Sequence, residues 1–273
     1  MKKMYLWLLM LPGLLFLTLF MIIPIFMTIG SSFFQEGKFT ISGYVDLLSD
    51  PYILKILGTT LKVSLVTTVV CILLGFPTAY YISRKKARTK GLLLMLAIFP
   101  LLTSAIVRSF SWMVILGKNG IINNLLTGIG VIDEPLKILY TPTAMMIGMI
   151  HLFLPLMIIS LVGVMENIDG DLLHASDSLG ASRFTGFMKI IVPLCVPGLI
   201  VGSILVFVGS LTAYTTPQLL GGKERVMATY LYQNAMTLND WTMASIIATV
   251  LIAVTFIIIG LMNKLARKLN PKG

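Results

Sequence analysis

Two histidines, two cysteines, 11 carboxylates and 21 lysine or arginine side chains make up the reactive inventory of this 273-residue chain. Their spacing argues against an enzyme active site. His151 lies inside a long apolar run, where a histidine can relay protons. No carboxylate shares such a run with it, so a structural hydrogen bond is the expected role. Cys71 and Cys195 lie within or at the edge of apolar runs and read as packing residues, without a disulfide or Cys/His metal framework. There is no G-x-x-x-x-G-K-[ST] phosphate loop and no Ser/His/Asp or Cys/His constellation. No metal site and no cofactor is expected in this chain.

Two groups of side chains suit the lining of a polar path instead. Arg108 stands in LTSAIVRSFSWMVILG. At the centre of a lipid-facing helix an arginine costs about 2.5–3.5 kcal/mol, so it must face protein, a water-filled cavity or the membrane interface. Ser104, Arg108, Ser111 and Trp112 recur at spacings of three and four and share a face of a continuous helix. They read equally as a path lining or as an arginine held structurally. The second group is Tyr214, Thr215 and Thr216 in SLTAYTTPQLLGG, where small and hydroxyl residues precede a proline and a glycine pair. A broken helix end beside a water-accessible cavity has this composition; so does an ordinary helix exit.

The elements that carry these residues are membrane spans. The chain is 57% hydrophobic and 12% charged, with mean hydropathy +0.94; soluble domains carry roughly twice that charged fraction. Six apolar runs approach the ~20 residues that cross a bilayer as a helix: Leu6–Ile29, Thr59–Ile82, Leu92–Leu116, Thr141–Met165, Val196–Tyr214 and Met243–Met262. In lipid the backbone must satisfy itself, so each is expected to be helical. The first is too long for a signal-peptide core and reads as a retained helix. The net charge of +10 is distributed by topology rather than as a nucleic-acid surface. Six spans place both termini and the loops after spans two and four on one side, with 13 of the basic residues, from Lys2 and Lys3 through Arg84–Lys90, Arg183 and Lys189 to Lys272. The positive-inside rule makes that side cytoplasmic. The layout is then a first helix with an external loop (1–58), a five-helix core (59–265) and a basic tail (266–273).

The longest polar interruption, 166–195, falls on that cytoplasmic side. It reads as a short helix, a glycine turn and a second short helix leading into span five. Its motif HAS, three residues, Gly180, nine residues and IIVP resembles the EAA loop of ABC importer permeases, whose pattern is E-A-A, three residues, G, about nine residues, then I-x-L-P. His174 takes the glutamate place and Ser176 that of the second alanine. The resemblance extends along the chain: TLKVSLVTTVVCILLGFPTAYYISR looks like the first core helix of the family. VRSFSWMVILGKNGIINNLL, TTPQLLGG and LNDW look like the first permease of spermidine/putrescine-type importers.

That resemblance implies an all-α membrane protein of six transmembrane helices with the MetI-like permease fold, in a bacterial plasma (inner) membrane. It implies a non-catalytic subunit that works with a cytoplasmic ABC ATPase dimer holding ATP and magnesium, a second permease chain and an extracytoplasmic solute-binding protein. Leu173, His174, Ala175, Ser176, Leu179, Gly180 and Ala181 are then the contact core for the ATPase. The cargo implied is a polyamine. One departure bears on this: polyamine permeases carry G-D-F-x-T-P where this chain has Thr212-Ala213-Tyr214-Thr215-Thr216-Pro217, so Ala213 stands at the acidic place. Carriage of another small solute, such as an amino-acid-like compound or a phosphonate, stays open, as does the rival class of a stand-alone carrier or channel.

Overall fold

The computed structural model describes residues 2–35 and 37–269. The basic tail lies outside them from Asn270 onward. Among the described residues four helices are long and apolar enough to cross a membrane, and six spans result when two bent helix pairs are each counted as one. The chain divides into two compact units.

The first unit comprises Met1–Leu54 and Tyr230–Val254. It opens with α1 (Lys2–Leu17), a π-type turn (Thr18–Ile22) and α2 (Ile23–Ser32). Thr18 and Thr28 donate their hydroxyls to the carbonyls of Leu14 and Pro24, at 2.8 and 2.9 Å. Residues 9–27 are exposed throughout, whereas Ser32 at the end of α2 is buried. A two-stranded hairpin, β1 (Phe34–Gln35) and β2 (Lys38–Phe39), leads to α3 (Ser42–Ser49), which buries Leu47. Its other face leaves Val45 and Leu48 exposed. Hydroxyl groups tie α2 to α3 and to the last helix: Ser31 donates to Ser245 at 3.1 Å, Thr249 to Ser32 at 3.3 Å, and Ser32 and Tyr44 share a bond of 2.5 Å. Hydroxyl bonds of this kind hold helices together where lipid removes the hydrophobic driving force.

The second unit comprises Lys55–Thr229 and Thr255–Gly273. Its elements are α4 (Pro51–Ser83, from Lys55 on), α5 (Ala87–Leu102), α6 (Ala105–Leu116), α7 (Ile121–Gly128) and α8 (Pro142–Met165). Then follow α9 (Asp171–Ser178), α10 (Arg183–Gly186), a π-type turn (Phe187–Ile191), α11 (Val192–Leu194), α12 (Val196–Thr212) and α13 (Thr215–Leu220). The chain closes with α14 (Met227–Tyr232) and α15 (Trp241–Leu269).

The core is built on α8. Apolar on every side, it buries Met145, Met149, Phe153, Met157, Leu161 and Met165, one every four residues, together with Ile158 and Val162. A helix hydrophobic all round belongs in such a position. Val63, Cys71, Ala79 and Ile82 of α4 join the same cluster. Glycines allow close approach: Gly75 faces Met157, Gly202 faces Met157 and Ser160, and Gly198 lies under the Ser160 carbonyl and Val164. Small residues at helix contacts serve this purpose in membranes. Both cysteines are free and buried, as expected of packing residues.

The third span departs from a single helix. α5 stops at Leu102, Thr103 and Ser104 are extended, and α6 leaves at 93°. Pro100 lies two residues before that stop, and its carbonyl accepts the Thr103 hydroxyl at 2.8 Å. The entry to span five also bends, by 61° at Cys195, between Pro193 and Pro197.

Candidate functional site

The polar interruption folds as a compact helix–turn–helix. α9 starts where the Asp169 carboxylate accepts from the Asp171 N–H at 3.0 Å. It ends in two nested backbone bonds: Gly180 N–H to the Asp177 carbonyl at 3.0 Å, and Ala181 N–H to the Ser176 carbonyl at 3.1 Å. This double closure requires a left-handed residue at its centre, and Gly180 supplies it with φ +84°. Ser182 then caps α10, its hydroxyl accepting from the Thr185 N–H at 3.2 Å. The two short helices meet where Ser176 packs on Gly186; a Cβ on Gly186 would collide with the Ser176 hydroxyl. A small residue at the third motif position is therefore needed for the helix contact.

The seven motif residues divide by this geometry. His174, Ala175, Leu179 and Gly180 are exposed, Ser176 is buried, and Leu173 and Ala181 are half-buried, Leu173 packing onto the core. Asp171, His174, Ala175 and Ser178, spaced three and four apart, form the outer stripe of α9. Beyond it stand two apolar knobs, Leu179 at 88% and Phe184 at 71% exposure. Phe184 is absent from the sequence-based set, although a large aromatic two residues after a serine cap in a polar loop was a usable signal.

The loop is anchored at its base. Arg84, at the end of α4, donates to the Ile168 carbonyl at 3.2 Å and lies over the Tyr80 ring at 5.4 Å. Tyr80 meets Phe187 edge-on at 5.1 Å, and Lys90 pairs with Glu166 at 3.0 Å. A cavity of about 570 Å³ opens between these anchors and α9, lined by Tyr80, Arg84, His174, Asp177, Phe184 and Phe187. Arg84 thereby ties the base of the loop to α4, and Lys90 ties the end of α8 to α5. Basic residues chosen in the sequence for topology thus have a second task, which their charge pattern alone did not reveal.

The path candidates separate as well. Arg108 is 6% exposed, but it turns back to the end of α5, donating to the Pro100 carbonyl and to the Thr103 hydroxyl at 3.3 Å. A cation at a helix C-terminus offsets the unpaired carbonyls there, so the guanidinium stabilises the broken span. Ser104 and Ser111 are exposed, Ser111 bonding the Val107 carbonyl at 3.0 Å. The shared face of 104, 108, 111 and 112 is therefore not a shared environment. Trp112, one turn beyond Arg108, donates its indole N–H to Nδ1 of His151 on α8 at 3.0 Å. This is the structural hydrogen bond expected of that histidine.

α12 stops at Thr212 and α13 begins at Thr215, as anticipated for a broken helix end. Tyr214 and Thr215 are half-buried and Thr216 is buried. α13 packs against both α6 and α8. Thr216 sits on Gly148, where a Cβ would come within 2.6 Å of its methyl group. Trp112, His151 and Thr216 therefore occupy one corner of α6, α8 and α13.

A multi-span helical chain with an exposed helix–turn–helix between two of its spans is the arrangement these residues build. The chain belongs to the family described as binding-protein-dependent transport system inner membrane component, whose model matches residues 71–271. It is 32% identical over 264 residues to the spermidine/putrescine transport system permease protein PotB of Escherichia coli K12, covering 94% of this chain and 96% of that one. The Haemophilus influenzae protein of the same name is 32% identical over 247 residues, covering 89% and 86%. Among solved structures, a bacterial ABC transporter involved in import of the acidic polysaccharide alginate has a chain that superposes with TM-score 0.75 at 18% identity, covering 98% of this chain and 96% of that one. That likeness is one of fold. The chain is a non-catalytic, multi-pass component of the inner membrane.

Proposed function

We propose that this permease forms half of a translocation path for a polyamine, spermidine or putrescine, in an ATP-driven importer. The observation that carries the reading is the exposed loop 166–195, tied to α4, α5 and α8 and presenting Leu179 and Phe184. The basic end that carries it faces the cytoplasm, and with it both termini. There it docks a dimer of ABC ATPases, which bind ATP and magnesium. Leu173, Ser176 and Ala181 shape the loop, while His174, Ala175, Leu179 and Gly180 meet the ATPase. A second permease chain completes the path, and an extracytoplasmic binding protein delivers cargo. Residues 59–265 form the transport core. Closure of the ATPases moves α9 and α10 and switches the access of the path, a rigid-body transition biased by nucleotide.

Two points support a cationic cargo: the similarity to PotB over nearly the whole chain, and the engagement of Arg108 by carbonyl and hydroxyl groups at the α5 end. Tyr214, Thr215, Thr216 and Trp112 are the path residues on this side. Ala213 is half-buried against apolar neighbours and supplies no charge, so a carboxylate for the cargo comes from the second permease. The same alanine favours the alternative of an amino-acid-like or phosphonate cargo. Uptake of radiolabelled spermidine into proteoliposomes holding the full importer decides between them. ATP-dependent uptake, competed by putrescine, is expected. A receptor that binds anions or zwitterions and ignores polyamines would refute the cargo assignment.

A further inference from the structure

We infer that His151 is a positioning residue for the cargo, acting through Trp112: it pins the indole so that a ring face is presented to the amine groups of a passing cation. This rests on the polyamine reading of the path.

The argument begins with the hydrogen bond. The indole N–H of Trp112 reaches Nδ1 of His151 at 3.0 Å, with ring centroids 5.6 Å apart and planes at 75°. A nitrogen that accepts has its lone pair free, so His151 is neutral in this arrangement, with its proton on Nε2. Protonating Nδ1 would abolish the bond. The pair therefore adds no positive charge beside the path. An indole N–H also lies in the ring plane, so the bond uses the edge of Trp112 and leaves its π faces free of the imidazole. Tryptophan has the strongest cation-binding face among side chains. Trp112 is half-buried and packs against the small apolar cluster around Leu116, Ala144 and Leu220. Removing the acceptor would leave a half-buried indole N–H unpaired and free the ring to rotate.

The one charge within a helical turn of Trp112 on α6 is Arg108, whose guanidinium is engaged by the Pro100 and Thr103 carbonyls. The third member of the corner, Thr216, is buried against Gly148, three residues before His151 on α8. Cation–π contacts account for about 0.5–2 kcal/mol, so misplacing the ring should weaken binding within the path rather than prevent assembly.

The test is transport of radiolabelled spermidine by the full importer in proteoliposomes, with saturating receptor, comparing His151→Leu, His151→Gln, Trp112→Phe and the double variant Trp112→Phe/His151→Leu. Retention of the ATPase subunit on purification checks assembly. His151→Leu should raise half-saturation by about five- to tenfold with little change in maximal rate. His151→Gln, which restores an acceptor, should recover most of it, and His151→Leu should add nothing in the Trp112→Phe background. Equal effects of His151→Leu with and without the indole N–H, or a fall in maximal rate alone, would overturn the inference. Loss of assembly in His151→Leu leaves His151→Gln and Trp112→Phe to decide it: Trp112→Phe transporting with wild-type half-saturation would also overturn it. A wild-type importer inert toward polyamines would remove the cargo reading itself, and the inference with it.

Discussion

Replacing Gly180 by proline should uncouple the importer, with substrate-stimulated ATPase activity falling by roughly tenfold or more while α8 and α12 stay folded. Gly180 has φ +84° and donates its N–H to the Asp177 carbonyl. A side chain in the left-handed region costs about 1–2 kcal/mol. Proline is excluded from it, because its ring fixes φ at about −65° and removes the N–H. The turn between α9 and α10 would have to be rebuilt, moving Leu179 relative to Phe184. Gly180→Asn is the graded control, since asparagine tolerates this conformation, and it should retain most coupling. ATP hydrolysis by reconstituted complexes, with and without loaded receptor, reads the effect. Normal stimulation in Gly180→Pro would mean that the turn does not transmit the nucleotide signal.

The second large effect is expected in the core. Gly198→Leu should lower the thermal stability of the detergent-extracted protein sharply and reduce its yield. A Cβ at Gly198 would lie 2.9 Å from the Ser160 carbonyl oxygen and 2.9 Å from Val164 Cγ2. One neighbour is backbone and the other is β-branched, so neither yields easily. Overpacking of this kind costs about 1–3 kcal/mol or more. Gly163→Ala provides the contrast on the facing helix, because nothing lies within 4 Å of its added Cβ. Thermal denaturation followed by size-exclusion chromatography should separate the two variants widely. Equal melting temperatures would contradict the close packing of α8 and α12.

Much of this organisation was legible in the residues. Span four was placed within one residue of α8, because it is bounded by a threonine cap followed by proline and by Glu166. The loop was legible because a polar run with a single well-placed glycine is conspicuous in an apolar chain. The break at Thr103 was not, since Thr-Ser between apolar runs carries no strong stop signal in a membrane helix. The Arg108 bonds back to the α5 carbonyls are contacts across a bend and leave no periodic trace. A helical-face argument grouped Ser104, Arg108, Ser111 and Trp112, which share α6 and its N-cap but differ in exposure, Arg108 being buried and Ser104 and Ser111 exposed. His151 was correctly read as a hydrogen-bonding residue from the lack of intramembrane acids. Its partner, 39 residues away on another helix, could not be read from spacing. Arg84 and Lys90 were read as topology signals because charge alone does not show that a side chain also grips the loop.

The claim at the centre of this account is that loop 166–195 docks the ATPase. The most direct measurement is photo-crosslinking from a benzophenone side chain placed at Leu179, the most exposed apolar residue of the loop, in the assembled importer. The predicted product is a permease–ATPase adduct whose yield changes when ATP is added. Adducts confined to lipid or to the second permease, with none to the ATPase in any nucleotide state, would contradict it.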